Sequence, residues 1–328
     1  MEITRRIDPR LAALAWCAVV SQQGATIEAC VGERVECTDH HIVEGAWSGA
    51  FGSADFDAAP TFTGTGCIAR ADHVVVCTPT HTLAPVYSLR KADRLWLSNS
   101  LIALLLLADE RLAVDYPHYD SDVMSIVFGA GAHVPRIPVA SGLAIALHYF
   151  ENIRIGRDLR MQRQPKSQPP PFDRFAAYDD FITGQVAAVI RNAADPQRGT
   201  RYAPLATVSS GYDSPACAVW ARRAGVSEAV TITEARGDFE DTDDSGKAIG
   251  ECLGLKVIEL SRQASRRAAR DDAELEVLCT GYGGDDIIWI GAEPLLAGRL
   301  LLTGYHGDKI WDCDAASVST NIKRGDPS

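Results

Sequence analysis

No stretch of roughly twenty apolar residues occurs in this sequence, and its longest apolar runs, Leu11 to Val20 and Leu101 to Ala108, are too short to span a bilayer. The first run has no convincing cleavage site after it, so no secretory signal is read. The 9 cysteines, an odd number spread from Cys17 to Cys313, contain no C-x-x-C pair and signal neither a disulfide framework nor a zinc site. A reducing cytoplasm is the expected compartment. Basic charge is also scarce: 32 Lys and Arg stand against 43 Asp and Glu, a formal charge of −11. Non-specific binding of nucleic acid or of an anionic membrane needs a basic surface, and neither is expected here, although a local basic pocket is compatible with the balance. No internal repeat is visible.

What the chain has is the composition of an ordinary globular protein, 46% apolar and 23% charged over 328 residues, enough for about two domains at ~150 residues each. The first 155 residues read as β-rich, with short runs such as His73 to Cys77 and Arg94 to Leu97 between Gly, Pro, Asn and Asp clusters. Thr63-Gly64-Thr65-Gly66 reads as a turn between strands and Ser100 to Leu107 as a short buried helix. The stretch MQRQPKSQPPPF, from Met161 to Phe172, has four prolines that remove backbone donors and keep the chain extended. The expected organisation is an N-terminal domain over 1–160, a Pro-rich linker over 161–174 and a second domain over 175–328.

After the linker, Phe175, Tyr178, Ile182, Val186 and Val189 recur at helical spacing, which predicts an amphipathic helix ending near Asp195-Pro196. Then the pattern alternates. Apolar runs at Ala203 to Val208, Ala229 to Thr233, Lys256 to Leu260 and Arg299 to Thr303 read as strands buried on both faces. Helix-like segments lie between them at Pro215 to Ala224, Thr242 to Leu253 and about Asp285 to Ala297. The expected fold class is therefore α/β, a β-rich domain followed by a parallel sheet that binds ligands at the carboxyl ends of its strands.

The segment with the most chemistry is Thr207 to Pro215, which puts three serines, one glycine and an acid between a buried strand and a helix. Pro215 suits a first helical turn, where its missing N–H costs nothing, so the helix should begin beside Ser214. Free N–H groups and the helix dipole there attract an anion, and Asp213 is placed to hold a Mg²⁺ that accompanies pyrophosphate. The alternative is structural: Ser209 and Ser214 as helix caps and Gly211 as a turn residue.

Ser209 to Ser214, SSGYDS, resembles the S-G-G-x-D-S pyrophosphate loop of the ATP pyrophosphatases, and the layout around it is similar to asparagine synthetase and β-lactam synthetase. Asp241-Thr242-Asp243-Asp244 ahead of Leu253-Gly254-Leu255 follows in the family order, and Leu301 to Lys309 resembles the strand and loop that reads L-S-G-E-G-x-D-E in asparagine synthetase. In the N-terminal half, Ala46 to Phe51, Thr82 to Tyr87 and Leu95 to Ser100 resemble later strands of the family's glutaminase-like (Ntn-type) domain.

The resemblance implies an ATP-dependent, AMP-forming ligase: a small-molecule or peptide carboxylate attacks the α-phosphate of ATP, pyrophosphate leaves, and an amine captures the acyl-adenylate. It implies that Ser209, Ser210, Gly211 and Ser214 hold the pyrophosphate, that Asp213 and Asp308 bind Mg²⁺, that Ile232 and Thr233 meet the adenine, and that Gly304 also contacts the nucleotide. Departures accompany it. Ser210 replaces a family glycine, Tyr305 and His306 stand where the family has Glu and Gly, and Lys309 replaces its second acid. Glu2 follows Met1 where the family's glutaminases have cysteine, so no glutaminase activity is expected, and Cys17 reads as core. The chain runs only twenty residues past Asp308, which leaves room for a protein partner or homo-oligomer to complete the acceptor site.

A non-catalytic nucleotide-binding or partner protein with the same fold is the alternative. A tRNA-thiolating relative is disfavoured by the acidic charge and the missing C-x-x-C. Asp285-Asp286 reads as a metal or general-base pair or as an acidic helix start, His306 as an acid-base group or a turn residue, and His40-His41 is given no role.

Overall fold

The structure is a computed structural model that describes residues 1–128, 131–234, 244–268, 273–274, 277 and 289–304. Its fold is mixed α/β, with a β-rich N-terminal region and a parallel sheet after it. Among the described residues no helix is long and apolar enough to cross a membrane.

The N-terminal region runs through β1 (Glu2–Ile7), β2 (Trp16–Ser21), β3 (Thr26–Val31), β4 (Glu36–Cys37), β5 (His41–Glu44), β6 (Thr65–Ala69), β7 (His73–Cys77), β8 (Val86–Lys91) and β9 (Arg94–Ser98). It continues with α1 (Leu101–Ala108), α2 (Tyr119–Val123), β10 (Arg136–Pro138), β11 (Ala144–His148), β12 (Asn152–Gly156) and β13 (Met161–Gln164). One sheet has the order β1-β3-β2-β9-β8-β11-β10 and the other β13-β12-β7-β6-β5-β4. Among the described strands of these two sheets only the β1–β3 pair is parallel. The two sheets meet over one core, where Trp16, Val20, Ile27 and Leu97 of the first face Ile42, Val76, Ile153 and Ile155 of the second. Trp16 lies wholly inside because its indole N–H has a partner there, the Thr65 hydroxyl at 2.9 Å.

The helix expected from Ser100 begins one residue later, since Ser100 is its cap: its Oγ accepts the Ala103 N–H at 2.9 Å. Leu101, Leu104 and Ala108 seal the outer face of the first sheet against Leu89, Ile145 and Leu147. Cys17 sits under this layer, 1% exposed, as a core residue. Two expectations shift. Thr65 and Gly66, read as part of a turn, open β6. Met161–Gln164, read as the start of the linker, pair with β12 from Asn152↔Gln164 to Ile155↔Met161. Composition misses this edge strand because its polar side chains face water on both sides.

The second part holds α3 (Phe175–Ala193), β14 (Ala203–Thr207), α4 (Asp213–Arg223), β15 (Glu228–Thr233), α5 (Lys247–Cys252), β16 (Lys256–Ser261), α6 (Arg262–Ala268), α7 (Glu293–Leu296) and β17 (Arg299–Leu302). The strands form one sheet in the order β16-β15-β14-β17, and every pair is parallel. β14 is first in the chain yet interior, with β15 on one side and β17 on the other. Successive connections therefore leave β14 in opposite directions, and the crevice this creates at the carboxyl ends is where open α/β sheets bind ligands. α4 packs on the sheet through Ala218 and Ala221, against Ala206, Val208 and Ala229.

α3 ties the two parts together through Val189 and Ala193, which pack on Ala46. Near its end Asn192 donates from Nδ2 to the Gly49 carbonyl at 2.9 Å and accepts the Trp47 N–H at 3.3 Å.

Candidate functional site

Thr207 ends β14, the loop 208–212 follows, and α4 starts at Asp213, one residue ahead of the expected position. Tyr212 occupies the cap position without a side-chain hydrogen bond to the first turn. Neither Ser209 nor Ser214 caps the helix. Ser209 instead accepts the Gly211 N–H on its Oγ at 3.3 Å, a local turn bond. The amides of the first turn of α4 thus meet no side-chain cap, the condition under which a helix start receives an anion.

Ser210 and Gly211 are both outside the positive-φ region, so the serine sits there without backbone strain. Its donors turn to a neighbouring segment: the Ser210 N–H donates to the Asp244 carbonyl at 3.0 Å, and its hydroxyl donates to the Asp244 carboxylate. Ser209 pairs with Ser245 as an isolated bridge. Gly246 lies against the loop so closely that a Cβ there would be 2.6 Å from the Ser209 nitrogen, and its N–H donates to the buried Thr231 hydroxyl at 2.8 Å.

This corrects the expectation of a helix over 242–253. Asp244–Gly246 is a non-helical clamp on the loop, and the helix starts at Lys247. Asp244, Ser245 and Gly246 find their partners in Ser210, Ser209 and Thr231 instead, and the expected start at Thr242 lies outside the described residues. Periodicity carries no trace of such contacts, and a glycine before the helix is the one local sign.

Gly304 follows β17 by two residues and meets α4 head-on. A Cβ on it would stand 2.6 Å from the Asp213 carbonyl oxygen and 2.7 Å from the Ser214 nitrogen. Ser209, Ser210, Gly211, Asp213, Ser214 and Gly304 are thus gathered at one end of the sheet, around the crevice between β14 and β17. Ile232 and Thr233 close β15 at the same carboxyl edge, where the chain turns away through Glu234 at a φ of 62°. Asp213 and Tyr212 are exposed and Ser214 is half-buried. Thr207 adds a buried hydroxyl just below the loop, with no hydrogen-bond partner among the described residues. Asp308, the second expected Mg²⁺ ligand, lies outside the described residues, as do Tyr305, His306, Lys309, Asp241 to Asp243 and Gly283 to Asp286. The His41 ring Nδ1 shares a hydrogen bond with Thr38 Oγ1 at 3.1 Å.

No protein-family model matches the chain, and no curated protein matches it.

Proposed function

We propose that the protein is an ATP-dependent, AMP-forming carbon–nitrogen ligase of the kind its loop resembles, with a glutaminase-like N-terminal domain that has lost its nucleophile. The observation that carries the reading is the SSGYDS loop opening an uncapped helix at the switch point of a parallel sheet, with the end of β17 pressed against it.

The donor set suits Mg·ATP, which when bound supplies the phosphate that activates a carboxylate. The amides of Asp213 and Ser214 and the hydroxyls of Ser209 and Ser214 would hold the departing pyrophosphate, stabilising charge as it develops, with the Gly211 N–H joining them on release from Ser209. Asp213 would hold Mg²⁺, and Ile232 and Thr233 would border the base. Loss of glutaminase chemistry agrees with Cys17, whose thiol is inside a strand and pushed up by burial.

One observation favours the second reading, a nucleotide-binding or partner protein without turnover: Ser210 spends both donors on Asp244 rather than presenting them to a ligand. Calorimetry with ATP, with and without Mg²⁺, is combined with a screen for AMP and pyrophosphate release over a pool of carboxylates. Mg²⁺-dependent binding that falls at least tenfold in Asp213→Asn, together with AMP release, is the expected result. Binding without AMP release favours a nucleotide-binding protein without turnover, and absence of binding overturns the ligase reading and favours the non-catalytic partner.

A further inference from the structure

A cavity of about 490 Å³ lies where the β-rich region meets β17, within the size range of pockets that hold small organic molecules. Its walls are mainly apolar: Leu14, Ala46 and Leu83 come from the N-terminal region, Leu300 and Leu302 from β17. It runs along β17 to Thr303, and the next residue, Gly304, abuts the loop at Asp213 and Ser214. The cavity therefore adjoins the carboxyl edge of the parallel sheet.

Glu44, the last residue of β5, is the single acid among the described lining residues. Its hydrogen bonds come from neutral donors: the Thr65 N–H and hydroxyl each donate to Oε1 at 2.8 Å, and the Asn99 side chain adds a third. No cationic side chain among the described residues offsets its charge. Burial outweighs those three bonds and raises its carboxyl to about 7. Glu44 is half-buried, and a carboxylate so placed with no counter-charge among the described residues is half of an ion pair, which a cation entering the cavity completes.

The other polar groups around the cavity do not supply that cation. His81 accepts the Leu83 N–H at Nδ1 (3.1 Å), so its proton is on Nε2, which donates to the Thr63 carbonyl at 3.2 Å, and burial lowers its pKa. Arg299 is committed to Glu228 at 2.9 Å. The Tyr202 phenol, raised by burial, lies in the combined field of Arg198, Glu44, Glu36 and Arg34.

We propose that this cavity binds a small organic cation, a primary amine on an apolar body, with the ammonium at Glu44 and the body against the leucines. The site goes beyond the adenylation reading and does not depend on it. It is tested by calorimetry with benzylamine and with the neutral analogue benzyl alcohol, in the absence of ATP, so that failure of nucleotide binding leaves the outcome untouched. Benzylamine is expected to bind, with an affinity that rises about tenfold between about pH 6 and about pH 8 as Glu44 ionises while the amine stays cationic. Benzyl alcohol should bind at least tenfold more weakly at the upper pH, and Glu44→Gln should abolish the rise. The pH series on the unaltered protein decides the matter even if that variant does not fold. No benzylamine binding, equal binding of the two probes, or an affinity flat across this range overturns the proposal.

Discussion

The α-carbon of Gly304 faces the peptide that joins Asp213 to Ser214, with room for no further atom: an added methyl would be 2.6 Å from the Asp213 oxygen. Its neighbours are backbone, which cannot swing aside as a flexible side chain does. Gly304→Ala must separate the end of β17 from the start of α4. The expected result is a loss of Mg·ATP affinity of at least tenfold, with a stability cost of about 1–3 kcal/mol for the forced displacement. Calorimetry beside urea unfolding reads both, and an alanine variant that binds ATP like the parent would show that the two loops do not form one site.

Two threonines near the loop make a paired test. Thr231 is 1% exposed and its hydroxyl receives the Gly246 N–H, whereas the buried Thr207 hydroxyl has no partner among the described residues. Valine keeps the shape and removes the hydroxyl in each. Thr231→Val leaves a buried donor unpaired and should cost about 1–3 kcal/mol, while Thr207→Val discards an unsatisfied group and should be neutral or slightly stabilising. Urea midpoints measured side by side check the order, and a larger loss from Thr207→Val would refute it.

Arg198 gives a third prediction. Its side chain is 1% exposed and donates from Nη2 to the Gly45 carbonyl at 2.9 Å and to Asn192 Oδ1 at 2.6 Å, and from Nε to the Asn192 carbonyl at 2.7 Å. The guanidinium also lies 4.5 Å from the Phe51 ring centre. These bonds join the end of α3 to the β-rich region. Arg198→Lys keeps the charge but offers no planar fork, so it should fail to rescue: both it and Arg198→Ala are expected to lose about 3–5 kcal/mol in chemical unfolding.

Much of this architecture is legible in the sequence because local pattern and tertiary role agree. β14, β15, β16 and β17 each lie within two residues of their expected limits, although the expectation of burial on both faces fails for β16 and β17, whose residues are half-buried or exposed. Ser100, ahead of an apolar run, is a cap as its residue type allows. Asp244–Gly246 is different, since its conformation is set by Ser209, Ser210 and Thr231 on other segments. The cavity is hidden for the same reason: Glu44 and Leu302 are far apart in sequence, and only an acid closing the apolar strand His41–Glu44 hints at it.

Glu44 also leaves a signature in the stability of the whole protein. Its carboxyl is raised from an ordinary value of 4.5 to about 7, so between these values the folded chain holds a proton that the unfolded chain has released. Where the native state binds more protons, stability falls as pH rises. The penalty is absent below 4.5, grows through the interval and is complete above about 7. Glu44→Gln has no carboxyl to ionise there. Relative to the parent it should gain stability with rising pH, by up to about 3 kcal/mol at 1.36 kcal/mol per unit, and show no gain near pH 4. Benzylamine acts in the same direction by a different route, because a ligand that binds only the folded state stabilises it by mass action. At about pH 8 it should raise the melting temperature of the parent and leave that of Glu44→Gln unchanged. Thermal unfolding of both proteins across the pH range, with and without the amine, separates the two effects: a variant whose advantage does not grow with pH would mean that the Glu44 carboxyl is not the group held back by burial.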